Sequence, residues 1–209
     1  VSHVPALMYI YTTSTAYDMA DSRRNKVIVC FLPSSSSLLE KSWLNAAAAR
    51  FAPPTKDGRE PMVHVELFFP DYEVEDVIGG TSCGIHYGGK VFMAPKQFTR
   101  RDWEFRSFQC RPEQYDKIKN FCTKQVGGGF NYGGYFTPCN LAARHRVSKR
   151  KQQKWYCSEL VAHALDQGNL IQMNSVTHTH PDILYDAVTA ASNTYLDCGR
   201  QINTKLLEL

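Results

Sequence analysis

The chain has 209 residues, which is enough for one domain with a full hydrophobic core. Hydrophobic residues make up 43% and charged residues 21%, a composition that excludes a largely disordered chain. The net charge of +4 is short of the excess typical of a dedicated nucleic-acid-binding protein, so no such site is expected. The longest apolar run, Val27 to Leu32, has the length of a strand, and we expect no transmembrane segment.

The cysteine pattern indicates the compartment. The seven cysteines are an odd number without CxxC spacing, which predicts free thiols, a reducing environment and a cytoplasmic protein. The N-terminus lacks the order of residues that marks a signal peptide, although a first residue of valine leaves export open. Neither a cofactor nor a metal is expected, because His178 and His180 lack the partner set of a metal hydrolase.

The first predicted elements follow a polar segment. Residues 1–25 lack periodicity, so we expect an N-terminal extension followed by one domain over 26–209. The domain begins with a buried strand at Lys26 to Leu32, a β-branched apolar run that ends at a proline. An Ala-rich helix is predicted over Leu38 to Phe51.

An antiparallel meander is predicted next. Met62 to Phe69 is rich in branched and aromatic residues, and Pro70 is expected to end this strand. Further short strands, separated by glycine pairs, are predicted near Val74 to Ile78, at Cys83 to Tyr87 and at Lys90 to Met93.

The C-terminal half combines one strand with helices. Trp103 to Cys110 alternates like a strand, and helical spacing predicts helices at Pro112 to Gln125, Trp155 to Gln167 and Asp182 to Ala191. The glycine-dense stretch Gly127 to Gly134 follows a helix and has no Lys-Ser or Lys-Thr after it, which argues against a phosphate loop. Together these elements predict an α+β fold with an antiparallel sheet packed against helices.

The stretch Arg144 to Lys154 is strongly basic. Its simplest interpretation is a solvated loop, and the alternative is a surface for an acidic partner such as a membrane, a nucleic acid or an acidic protein.

Two residues suggest nucleophilic catalysis. Cys157 lies in the first turn of its predicted helix, where backbone N–H groups and the helix dipole favour a thiolate. His64 lies on a predicted strand and could supply the base if the fold brings it to the thiol. The alternatives are a small packed cysteine and a histidine bonded to a backbone carbonyl.

A family resemblance strengthens the catalytic interpretation. Tyr156 to Val161 (YCSELV) resembles the nucleophile motif of the circularly permuted papain-like peptidases of the NlpC-related superfamily, and His64–Val65 resembles their histidine motif. These enzymes include bacterial and poxviral members, with lecithin:retinol acyltransferase as a distant relative, and they place the histidine before the cysteine, as this chain does. The resemblance covers about residues 26–191. It implies an NlpC-type permuted papain-like fold, with residues 26–209 as the catalytic domain.

The chain departs from the family pattern at one position. Many members carry a glutamate just after a Val-Ile pair, where this chain has Gly79. The residue that orients the imidazole is therefore open. Glu66 shares a face with His64 by strand alternation and is the first choice, with Ser82 and His86 as rivals.

Three functions remain open from the sequence. The first is a cysteine hydrolase, a peptidase or amidase that forms an acyl-enzyme on Cys157. The second is an acyltransferase or lipid hydrolase that uses the same dyad on an acyl-lipid. The third is a catalytically inactive binding domain, suggested by Gly79.

Overall fold

The computed structural model describes residues 25–41, 55, 57–132, 154–172 and 179–192. A five-stranded antiparallel sheet lies at its centre, with strand order β4-β3-β2-β1-β5. The strands are β1 Lys26–Pro33, β2 Met62–Val74, β3 Val77–Gly84, β4 Phe92–Thr99 and β5 Glu104–Gln109. The predicted α+β class with an antiparallel sheet is confirmed.

Helices cover this sheet. A short 3-10 helix occupies Ser37–Lys41, and the α-helices are α1 Pro112–Gln125, α2 Cys157–Gln167 and α3 over 181–192. A small parallel pair of strands, β6 Gly129–Phe130 and β7 Lys154–Trp155, precedes α2. Among the described residues, none of the helices is long and apolar enough to cross a membrane.

The two faces of the sheet are both covered, which explains the continuous apolar run of β1. Val27, Val29 and Phe31 join the larger core with side chains of the three α-helices, including Ile118, Leu160 and Leu184. The alternate residues of β1 join a smaller core on the other face, with Phe68, Phe98 and Trp103. A strand buried on both faces needs apolar residues at every position.

The observed meander differs from the predicted one at Pro70 and at the two glycines Gly79 and Gly80. β2 does not end at Pro70 but continues to Val74, with a register shift between Pro70 and Tyr72. Such an irregularity accommodates a residue that cannot donate to the ladder. β3 likewise runs through Gly79 and Gly80, which the prediction placed between strands.

Close approach explains these two glycines. A Cβ on Gly80 would overlap the Phe69 carbonyl oxygen at the irregularity, and a Cβ on Gly79 would overlap the Tyr72 ring. The glycines therefore permit contact between strands and do not interrupt β3. The chain reverses instead at Glu75, which has a φ of 50°.

Other boundaries agree more closely. α1 has its predicted bounds, and β5 lies within the predicted strand. β4 begins at Phe92 and extends to Thr99, beyond the predicted end. α2 begins at Cys157 instead of Trp155, because Trp155 pairs with Phe130 in the small parallel ladder.

Three predictions fall wholly or partly outside the described residues. These are the N-terminal extension up to residue 24, the helix predicted at Leu38 to Phe51 beyond its first turn, and the basic stretch up to residue 153. At the start of that predicted helix, the structure has the 3-10 helix.

Candidate active site

Cys157 is the first residue of α2, and local interactions determine its position. Tyr156 precedes it in an extended conformation, and the Tyr156 carbonyl accepts the first helical hydrogen bond from Leu160 N–H at 3.0 Å. The Trp155 carbonyl accepts a hydrogen bond from the Asn131 N–H at 2.8 Å, so the chain enters the helix from the β6–β7 pair. The thiol thus lies among the N–H groups of a helix N-terminus, as predicted.

β2 supplies the histidine. His64 lies near the start of β2, against which α2 packs, and its imidazole lies close enough to the Cys157 thiol for each group to shift the pKa of the other. On the other side of the ring, Nε2 lies 3.2 Å from Glu66 Oε1. Because Nε2 faces the carboxylate, we infer that Nδ1 serves the thiol.

Glu66 is completely buried and binds three partners. Besides His64, Ser82 Oγ donates to Oε2 at 2.6 Å and Lys96 Nζ donates to Oε1 at 2.7 Å. Strand register brings these groups to one face of the sheet. Phe68, two residues after Glu66, pairs with Ser82, and Gly80, two residues before Ser82, pairs with Lys96 on the next strand. A buried carboxylate with this many donors is held ionised and in one orientation.

The thiol and the imidazole shift each other's pKa in opposite directions. Burial raises the pKa of Cys157, but the His64 charge and hydrogen bond, with the N–H groups of Val65 and Ser158, outweigh burial and lower that pKa below its ordinary value. Burial lowers the pKa of His64, yet the Cys157 thiolate and Glu66 raise it to about 9. Both directions favour thiolate and imidazolium at neutral pH.

Glu66 is ionised for the same reason. Burial raises the pKa of its carboxyl, but the His64 imidazole and the Lys96 ammonium lower it to about 2. The network therefore runs from the Cys157 thiol through the His64 imidazole and the Glu66 carboxylate to the Lys96 side chain.

His86 contacts the site in a different way. Its ring stacks on His64, with centroids 5.4 Å apart, and on Phe92, with centroids 5.0 Å apart. His86 is exposed, and burial of part of its ring together with the His64 charge lowers its pKa. Of the three candidates for the orienting group, Glu66 contacts His64 by a hydrogen bond, Ser82 contacts Glu66, and His86 stacks on His64.

The residues that could hold a metal already have other contacts. The donor atoms of His64, Glu66 and His86 lie within 4.8 Å of one another. However, the Lys96 ammonium occupies Glu66 Oε1 and places a positive charge where a cation would bind. Farther away, His180 Nδ1 lies 3.4 Å from Asp182 Oδ2, and His178 is outside the described residues.

Sequence reasoning missed Lys96. The prediction ended the strand at Met93, so Lys96 had no assigned partner strand, and a lysine usually faces solvent. Only the β3–β4 register, which places Lys96 opposite Gly80, shows that its ammonium reaches Glu66.

A second buried carboxyl was also missed. Glu159 lies in the first turn of α2, 7% exposed, and accepts a hydrogen bond from Asn131 Nδ2 at 3.2 Å. Burial raises its pKa to about 7, although bonds from Asn131 and the Tyr156 backbone lower it. The contact joins α2 to the segment after β6.

The arrangement contains the groups needed for acyl transfer: an activated thiol, a base in contact with it and an acid that orients the base. Comparison with family models, curated proteins and solved structures finds no match for this chain.

Proposed function

We propose that this chain is a cysteine hydrolase, a peptidase or amidase with Cys157 as nucleophile, His64 as general base and acid, and Glu66 as the orienting residue. The observation that carries this proposal is the position of the His64 imidazole, with the Cys157 thiol close enough on one side for each group to shift the pKa of the other, and Glu66 on the far side of the same ring. The pair joins a strand and a helix that are far apart in the chain.

The chemistry follows from the charges of the resting site. The Cys157 thiolate attacks the carbonyl carbon of an amide, and the His64 imidazolium protonates the leaving nitrogen as the C–N bond breaks. A thioester then joins the acyl group to Cys157. His64 next takes a proton from water, the hydroxide attacks the thioester, and the released thiolate restores the ion pair.

Backbone donors stabilise the negative charge during both steps. The Cys157 N–H lies in the first turn of α2, where the helix dipole is positive, and is suited to bind the oxyanion. Glu66 retains His64 in one orientation and stabilises the imidazolium without accepting its proton, since the pKa of Glu66 is held near 2.

The fold we propose is the permuted papain-like arrangement of NlpC type. Its support is the order of the elements: the histidine strand precedes the cysteine helix, and the N-terminus of that helix meets a central strand of an antiparallel sheet. Many family members carry a glutamate where this chain has Gly79. In this chain Glu66 supplies the proposed orienting carboxylate instead, from β2 itself.

The test is alkylation of Cys157 by iodoacetamide as a function of pH, followed at this residue by mass spectrometry. We expect an apparent thiol pKa well below the free value of about 8.5, and an increase to that value or above in His64→Ala. His180→Ala is the matched control, because His180 pairs with Asp182 instead of the thiol. A Cys157 whose reactivity is ordinary and indifferent to His64 would refute the proposal.

Substrates then separate the alternatives. Fluorogenic peptide amides and acyl-lipid donors, tested with wild-type protein and Cys157→Ala, distinguish hydrolysis of amides from acyl transfer or lipid hydrolysis. An activated thiol that turns over only acyl-lipids would replace the peptidase or amidase assignment and leave the dyad intact.

A further inference from the structure

We propose that Lys96 is a positioning residue that balances the charge of Glu66 and thereby limits the basicity of His64. This inference rests on the proposed function, because it concerns how the base of that same dyad is adjusted. The two cations share one acceptor: Lys96 Nζ lies 2.7 Å and His64 Nε2 lies 3.2 Å from Glu66 Oε1.

The ammonium is held in place by more than the carboxylate. Lys96 Nζ lies over two aromatic rings, 4.7 Å from the centroid of Phe98 and 5.1 Å from that of Trp103. Trp103 also lies edge-on to His64, with centroids 6.2 Å apart. These contacts hold the head of the Lys96 side chain beside the network.

The direction of the effect follows from electrostatics. A buried carboxylate stabilises an imidazolium, and a second cation on the same oxygen reduces that stabilisation and also repels the imidazolium. Without Lys96, Glu66 would hold the proton on His64 more tightly. A base that binds its proton too tightly is a poor acid for the leaving group, so Lys96 favours proton return.

Several other charged groups act on this network. Those that face His64 or Glu66 from the elements packed around them are Cys157 on α2, His86 after β3, Lys96 on β4 and the Cys30 thiol on β1. Burial and the Glu66 charge both raise the pKa of Cys30, so it stays a neutral thiol. Burial and the His64 charge both keep His86 neutral at pH 7. Lys96 is therefore the cation that competes with His64 for Glu66 among the described residues.

The experiment measures the titration of His64 directly. Carbon-13-labelled histidine in the full chain is followed by NMR from pH 5 to 11, and the His64 signal is assigned by its loss in His64→Ala. Lys96→Met keeps the apolar stem but removes the charge, and we expect it to raise the His64 midpoint by about one pH unit. Lys96→Arg keeps the charge and should leave the midpoint near that of wild type.

Controls separate a charge effect from a structural one. The chemical shifts of the His180 ring at a fixed pH should be unchanged in both variants, because His180 contacts Asp182 outside this network. An unchanged or lower His64 midpoint in Lys96→Met would overturn the proposal, and so would an equal shift in Lys96→Arg. Lys96→Gln is the second neutral variant if Lys96→Met does not fold.

Failure of this inference is distinguishable from failure of the dyad. Alkylation of Cys157 in wild type and His64→Ala tests the dyad without reference to Lys96. If the reactivity of Cys157 depends on His64 but the His64 titration midpoint is the same with and without the Lys96 charge, the proposed dyad stands. The proposed role of Lys96 is then wrong.

Discussion

His64 Nε2 lies 3.2 Å from Oε1 of Glu66, two residues farther along the same strand. This relationship is local, since residues i and i+2 of a strand share a face. The proposed base and the proposed orienting residue thus both lie on β2, and the tertiary structure has only to bring the Cys157 thiol to them.

Glu66→Gln should slow alkylation of Cys157 at pH 7 about tenfold. The amide keeps the shape but removes the anion that stabilises the His64 imidazolium, so the pKa of His64 falls and that of the thiol rises. Glu73→Gln is the matched control, because Glu73 lies on the same strand and pairs with Lys26 and Arg100 away from the site. Equal rates in wild type and Glu66→Gln would contradict the assigned role.

Glu66 should also make the protein acid-sensitive. Its pKa is about 2 in the folded chain against an ordinary 4.5, so its contribution to stability is present above pH 4.5 and is lost as the pH falls through about 2. The corresponding free energy of unfolding is about 3 kcal/mol. Urea denaturation between pH 2 and 6 should show this decline in wild type and a smaller one in Glu66→Gln.

Glu159 should have the opposite effect. Its folded pKa of about 7 lies above the ordinary 4.5, so the folded chain binds the extra proton and stability falls as the pH rises from 4.5 through 7. Glu159→Gln removes the ionisation and should raise the free energy of unfolding at pH 8 by up to about 3 kcal/mol. The measurement is urea denaturation at pH 5 and pH 8, and a variant that is less stable at pH 8 would contradict it.

The adjacent glycines of β3 should differ in tolerance. Gly80→Ala would place a methyl group against the Phe69 backbone and should destabilise the chain by about 1–3 kcal/mol. Gly79→Ala meets the ring of Tyr72, which is 46% exposed and able to move, so a smaller loss is expected. Thermal unfolding of the two variants measures the difference, and equal losses would be inconsistent with this explanation.

Much of the fold could be predicted from local patterns. α1 has its predicted bounds because helical spacing, a proline at the first turn and a following glycine stretch all agree. The predicted bounds of β2 and β3 were wrong because proline and glycine usually interrupt strands. Only the pairing of β2 with β3 shows that Pro70 lies at a register shift and that Gly80 leaves room for the neighbouring backbone.

In the site, short spacing was enough to predict Cys157 at a helix start, and His64 with Glu66 on one face of a strand. The remaining contacts depend on the three-dimensional packing. Whether Cys157 meets His64, and whether Ser82 and Lys96 reach Glu66, depends on the packing of α2 and the register of three strands. Those contacts join residues distant in the chain, and local spacing carries no information about which distant strands pair, because burial of the whole core selects the register.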